Sequence, residues 1–95
     1  MICEKVVIRS NGAGVFFGKL IKKEETEVTL ENARKLYYWD GAGAVEGLAQ
    51  NGTSKPKNCK FTVVVKEICI MNVLQIIPCT KEAIKSIESV PEWKA

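Results

Sequence analysis

Apolar positions along this chain come in short runs broken by glycine, asparagine and charged clusters, the pattern of a sheet protein with little helix. Residues 4–9, Glu-Lys-Val-Val-Ile-Arg, are rich in β-branched side chains and stop at Ser10-Asn11-Gly12-Ala13-Gly14, where glycine supplies the positive φ angles of a tight turn. A strand and a hairpin are predicted. Val15 to Lys22 resumes as a second strand, with Gly18 marking a kink or the close approach of another backbone. Lys22-Lys23-Glu24-Glu25-Thr26-Glu27 is a mixed-charge turn, and Val28 to Trp39 is the third strand. Within it, Asn32-Ala33-Arg34 interrupts the alternation as a bulge does; Val28, Leu30 and Leu36 are expected to share one face and the rings the other.

Past Asp40-Gly41-Ala42-Gly43 the period changes. Val45, Leu48 and Ala49 are spaced for a short helix over 44–50 that Asn51-Gly52 stops, and Asp40 is placed to cap its free amides. Thr53 to Asn58 is an irregular polar loop. From Lys60 to Cys79 the chain is almost continuously apolar, with a charged break expected at Lys66-Glu67 and the second run, Ile68 to Ile77, expected to be a central or two-sided strand covered by helix or by another subunit. Thr80 caps a final helix, Lys81 to Val90, whose Ala83, Ile84, Ile87 and Val90 form one stripe; Pro91 ends it, and Trp93 is expected to pack back on the sheet. The fold class is α+β: a single domain with an antiparallel sheet of about five strands, a short middle helix and a C-terminal helix.

Composition narrows the function. Of 95 residues, 46% are apolar and 26% charged, far from a disordered composition, and no run reaches the roughly 18 apolar residues of a membrane-spanning helix. The segment Met1 to Lys5 lacks a signal-peptide layout, which points to the cytosol. A net charge of +3 is modest for a binder of extended nucleic acid. The cysteines Cys3, Cys59, Cys69 and Cys79 lack the spacing of a metal knuckle, and the chain has no histidine. Cys69 and Cys79 read as small hydrophobes, and Cys59, between lysines, as the one thiol whose thiolate is favoured. No metal, cofactor or catalytic constellation is expected, so the chain reads as a binder and not an enzyme. The densest chemistry is Leu30 to Gly41, where rings, an arginine and an Asp-Gly turn fall together as a strip suited to anions and flat groups.

Four segments carry a resemblance: Ala13-Gly14-Val15-Phe16-Phe17-Gly18, Asn32 to Ala42, Ser54 to Phe61, and Ile84 to Trp93. Together they resemble a family of small phage and prophage proteins over essentially the whole chain. Phage origin implies a class of jobs, among them anti-defence proteins that hold a nucleotide-derived immune signal, cyclic or of ADP-ribose type, in pockets of a homo-oligomer within the bacterial host cytoplasm without cleaving it. Under that likeness Tyr37, Tyr38 and Trp39 would stack the base, while Arg34, Arg9, Lys35, Lys55, Lys57 and Lys60 would hold phosphates. Asn32 and Asp40 would add polar contacts, Asp40 to a ribose hydroxyl. The alternatives are a protein-binding inhibitor of a host defence effector and a structural phage subunit.

Overall fold

The computed structural model describes residues 4–94, so the expectations for Met1 to Cys3 lie outside the described residues. The strands are β1 (Lys5–Ser10), β2 (Gly14–Glu24), β3 (Glu27–Tyr38), β4 (Lys60–Phe61), β5 (Val65–Ile70) and β6 (Val73–Pro78); the helices are α1 (Ala44–Asn51) and α2 (Lys81–Ser89), with a short 3-10 turn at Pro56–Asn58. All strand pairs in the sheet are antiparallel, in the order β4-β3-β2-β1-β6, and β5 continues the β4 side of β3. The α+β expectation holds, with six strands in place of about five.

Topology makes the sheet curl. β5 lies at one edge and β6 at the other, yet Met71-Asn72 alone joins them, so the two edges must converge at that corner. Both hairpins are tied to it: Asn11 donates its backbone N–H to the Asn72 carbonyl and Val73 donates to Thr26, each at 2.9 Å. The long strand β2 therefore bends sharply between its ends, helped by register shifts between Phe17 and Lys19 and between Leu20 and Lys22. At Gly18 a Cβ would come within 2.9 Å of the Ala33 Cβ, which is why the bend carries a residue without one.

Curling gives the sheet two buried faces. On β1 and β2, Val7 lies opposite Phe17, and both pack under the helices with Leu48, Phe61 and Ile87; Val6 and Ile8 alternate with Val7 and fill the inside of the curl with Leu20, Val28 and Leu30. The bulge on β3 sits at Asn32, whose φ is 51°, and one extra residue there exchanges the faces. Val28 and Leu30 point into the curl but Leu36 points at the helices, so the expectation that all three share a face is corrected: an inserted residue inverts the parity beyond it.

Two further expectations change. The mixed-charge turn shrinks to Glu25-Thr26, because the strands run on to Glu24 and from Glu27. The late apolar run breaks at residues 62–64, between β4 and β5, and at Met71-Asn72, where Asn72 has φ 57°, and not at Lys66-Glu67, which lie within β5. β5 and β6 are edge strands, each paired on one side, in place of one central strand. The final helix forms as expected: the Thr80 hydroxyl accepts the Ala83 N–H at 3.1 Å, and Ala83 and Ile87 are buried with Ile84 half-buried.

Candidate functional site

Arg34 is turned into the protein. It follows the bulge, so it shares the helix-facing side with Leu36, and only 5% of it is exposed. Its Nε donates to the Thr62 carbonyl at 3.0 Å, one terminal nitrogen donates to the carbonyls of Ile87 and Val90 at 3.2 and 2.9 Å, and the other donates to Phe61 at 3.2 Å. The guanidinium also lies over the Phe61 ring at 5.5 Å. Two of those carbonyls end α2, where free acceptors and the negative end of the helix dipole favour a cation. Burial lowers the pKa of Arg34, and the charge of Glu92 partly opposes that shift. The phosphate-holding role expected of Arg34 is thereby corrected: its donors are spent joining β3, the Phe61-Thr62 segment and the C-terminus of α2.

The ring trio divides. Trp39 is half-buried against the helix-side core, whereas Tyr37 and Tyr38 are 59% and 51% exposed. Beyond Pro91 the chain returns to the sheet, where Glu92 bridges Phe61 in parallel and the Trp93 N–H donates to the Phe61 carbonyl at 2.8 Å. That return places Trp93 flat on Tyr37, with ring centroids 5.1 Å apart and planes 4° from parallel. Lys60 brings its Nζ to 5.5 Å from the Trp93 centroid, so an ammonium sits beside an exposed aromatic ledge. Lys35, two positions back from Tyr37 on β3, is spent partly on the Phe16 ring at 5.9 Å.

Asp40 organises the loop beside the ledge and leaves α1 uncapped by any side chain. One carboxylate oxygen accepts the Gly41 N–H at 2.8 Å and the other accepts from the Asn58 amide at 3.2 Å, with Lys55 at 3.9 Å. The Asn58 and Gly41 hydrogen bonds hold its carboxyl below the ordinary range, aided by Lys55. Thr53 donates its hydroxyl to the Asp40 carbonyl, and the Cys59 thiol is buried against Lys55 and Thr53 at 3.5 and 3.6 Å. Lys57 is exposed on the same loop. Among the other cysteines, Cys69 is exposed, and burial pushes the Cys79 thiol up to about 12.

The remaining expected contacts lie elsewhere. Arg9 sits on β1 opposite Gln75, at the end of the sheet where Glu46 accepts from Gln75 at 3.3 Å. Asn32 is exposed at the bulge, its backbone serving the turn of the strand. What the structure brings together is narrower than the expected set: Tyr37 stacks on Trp93 with Lys60 over the latter ring, Tyr38 lies opposite Lys60 in the β3–β4 pair, and Lys55 and Lys57 lie on the loop that Asp40 organises. Trp93 was expected to pack on the sheet, and its service as the second ring of the ledge has no local sign beyond an unburied tryptophan after a helix-ending proline.

Among the described residues no helix is long and apolar enough to cross a membrane. No curated protein and no solved structure matches the chain. Residues 3–87 match the family model described as Domain of unknown function (DUF6948), and the chain belongs to that family.

Proposed function

We propose that this protein binds a flat, anionic, nucleotide-derived ligand on the Tyr37–Trp93 ledge without altering it. The observation that carries the reading is the stacked Tyr37–Trp93 pair, in which Tyr37 is 59% exposed and the Lys60 ammonium lies over the Trp93 ring, since a base stacks on an exposed ring and a phosphate takes such a cation. The resemblance to small phage and prophage proteins gives the ligand its class, a signal nucleotide of a bacterial defence system, held in the host cytoplasm.

Magnitudes set the form of binding. One stacked base contributes about 1–3 kcal/mol and a charge-assisted contact about 1.5–3, so a stack with Lys60 gives roughly 2.5–6 kcal/mol. Association costs about 4–15 kcal/mol, which leaves an open ledge on one copy with weak affinity; tight capture calls for closure by a second copy. The test is to incubate the protein with a mixture of cyclic mononucleotides, cyclic dinucleotides and ADP-ribose, wash, denature, and identify by mass spectrometry what is released. Intact ligand supports sequestration, chemically altered ligand replaces it with catalysis, and no ligand removes it.

A second reading, inhibition of a host defence protein by direct binding, is favoured by Val63 and Val64, which are half exposed and adjoin the Phe61-Thr62 segment of the ledge.

A further inference from the structure

Two Asn-Gly dipeptides stand in this chain, Asn11-Gly12 and Asn51-Gly52, and each ends an element of secondary structure. They also share a reactivity. A glycine that follows asparagine presents a main-chain nitrogen with no Cβ beside it, so that nitrogen can approach the asparagine Cγ. How firmly the fold holds the peptide between the two residues decides whether it does.

Asn51-Gly52 is held. Gly52 is buried, its N–H donates to the Leu48 carbonyl at 2.9 Å, and a Cβ there would collide with the Ser86 side chain of α2. The residues on either side are tied to α2 and its cap: the Thr80 hydroxyl donates to the Gln50 carbonyl at 2.7 Å, and the Thr53 N–H donates to the Ser86 hydroxyl at 2.9 Å. The nitrogen is engaged, and its peptide turns only if this local packing opens first.

Asn11-Gly12 is the opposite case. It lies in the turn of residues 11–13 between β1 and β2, both residues are exposed, and nothing lies within 4 Å of where a Gly12 Cβ would stand. Its tie is on the N-terminal side, where the Asn11 N–H donates to the Asn72 carbonyl at 2.9 Å, and this leaves the Asn11 side chain and the following peptide free to rotate. Among the described residues neither the Gly12 N–H nor the Asn11 side-chain amide has a hydrogen-bond partner.

We propose that Asn11 is a site of spontaneous covalent modification in the folded protein, converting to aspartate and isoaspartate, and that the fold protects Asn51 from the same reaction. The Gly12 nitrogen gives its proton to hydroxide and bonds to the Asn11 Cγ; the Cγ–Nδ2 bond breaks and ammonia leaves, which closes a succinimide ring. Water then opens the ring. Cleavage between the Gly12 nitrogen and Cγ gives aspartate, and cleavage between that nitrogen and the Asn11 main-chain carbonyl carbon gives isoaspartate, whose main chain runs through Cβ. Nothing is oxidised or reduced: one amide and one water become one carboxylate and one ammonium ion. The product's net charge is one unit below the +3 of the unmodified chain, and isoaspartate lengthens the hairpin at the corner where Asn11 meets Asn72. The inference is independent of the ligand reading.

Incubation of the full-length protein in warm, mildly alkaline buffer tests it, with samples taken over time for tryptic peptide mapping by mass spectrometry. Trypsin puts the two sites on separate peptides, residues 10–19 and 36–57, so each conversion is read by itself. In the folded protein Asn11 should convert at least about tenfold faster than Asn51, because reaction at Asn51 waits for local opening. In urea the two rates should converge, since both sites then present the same dipeptide to water. Methylation by an isoaspartyl methyltransferase should label the residue 10–19 peptide of the aged folded protein. Folded protein in which Asn51 keeps pace with Asn11, an Asn11 that converts in urea but not in the folded state, or a preference for Asn11 that persists undiminished in urea overturns the proposal.

Discussion

Arg34 and Tyr37 stand three residues apart on one strand and have opposite fates. Arg34 gives hydrogen bonds to four main-chain carbonyls and is closed off from water, whereas Tyr37 leaves most of its ring exposed and touches the fold chiefly through Trp93. Pleat and bulge account for the difference: the extra residue at Asn32 sends Arg34 and Leu36 to the helix side and leaves Tyr37 alternate to them. A charged group reaches the crowded side only because carbonyls wait there to receive it, and a ring is left outside where nothing covers it. The first is a clasp, the second an available surface, and substitutions should separate the two.

The largest effect is expected at the clasp. Arg34→Ala leaves the carbonyls of Phe61, Thr62, Ile87 and Val90 without that donor, and should cost about 3–5 kcal/mol in urea unfolding, a large part of a small domain's stability. Arg34→Lys should recover only part, since an ammonium cannot span acceptors arranged for a fork. A stable, folded Arg34→Ala protein would break the comparison.

Next comes Gly52, the residue that ends α1 with φ 75° and whose added Cβ would collide with Ser86 of α2. Gly52→Ala should cost about 1–3 kcal/mol by thermal or urea unfolding, from backbone strain and displacement of α2, while sparing the ledge. Tyr37→Ala should cost less, about 0.5–1.5 kcal/mol for the lost ring pair, yet remove ligand uptake. The smallest effect on the whole fold is at Asp40. Its carboxyl titrates below the ordinary 3.8, so its stabilising contribution is present above that value and is lost as pH falls through the lowered folded value. Hydrogen exchange should then show faster opening of the Gly41 amide in acid, with β1 and β2 unchanged; Asp40→Asn should move that opening to neutral pH.

Much of the fold was legible in the sequence because its signals are local. Branched residues marked β1, β2 and β3, Asn51-Gly52 marked the end of α1, and Thr80 with Pro91 bracketed α2. What escaped depends on partners far along the chain. The carbonyls that claim Arg34 come from residues 27 to 56 positions away, so a sequence window around Arg34 shows a free cation beside rings. Lys66-Glu67 looked like a break because charge usually ends an apolar strand, but an edge strand can carry charge on its open side. Trp93 reached Tyr37 through a tail bridge to Phe61 that no periodicity encodes.

The most direct measurement compares wild type and Tyr37→Ala side by side, reading the thermal midpoint and the amount of intact nucleotide released on denaturation after exposure to the same nucleotide mixture. The midpoint of the variant should fall by about 2–12 °C and the protein should stay folded at the incubation temperature, with ligand recovered from wild type and lost from the variant. Equal recovery from both proteins, or none from wild type, would contradict capture on the ledge.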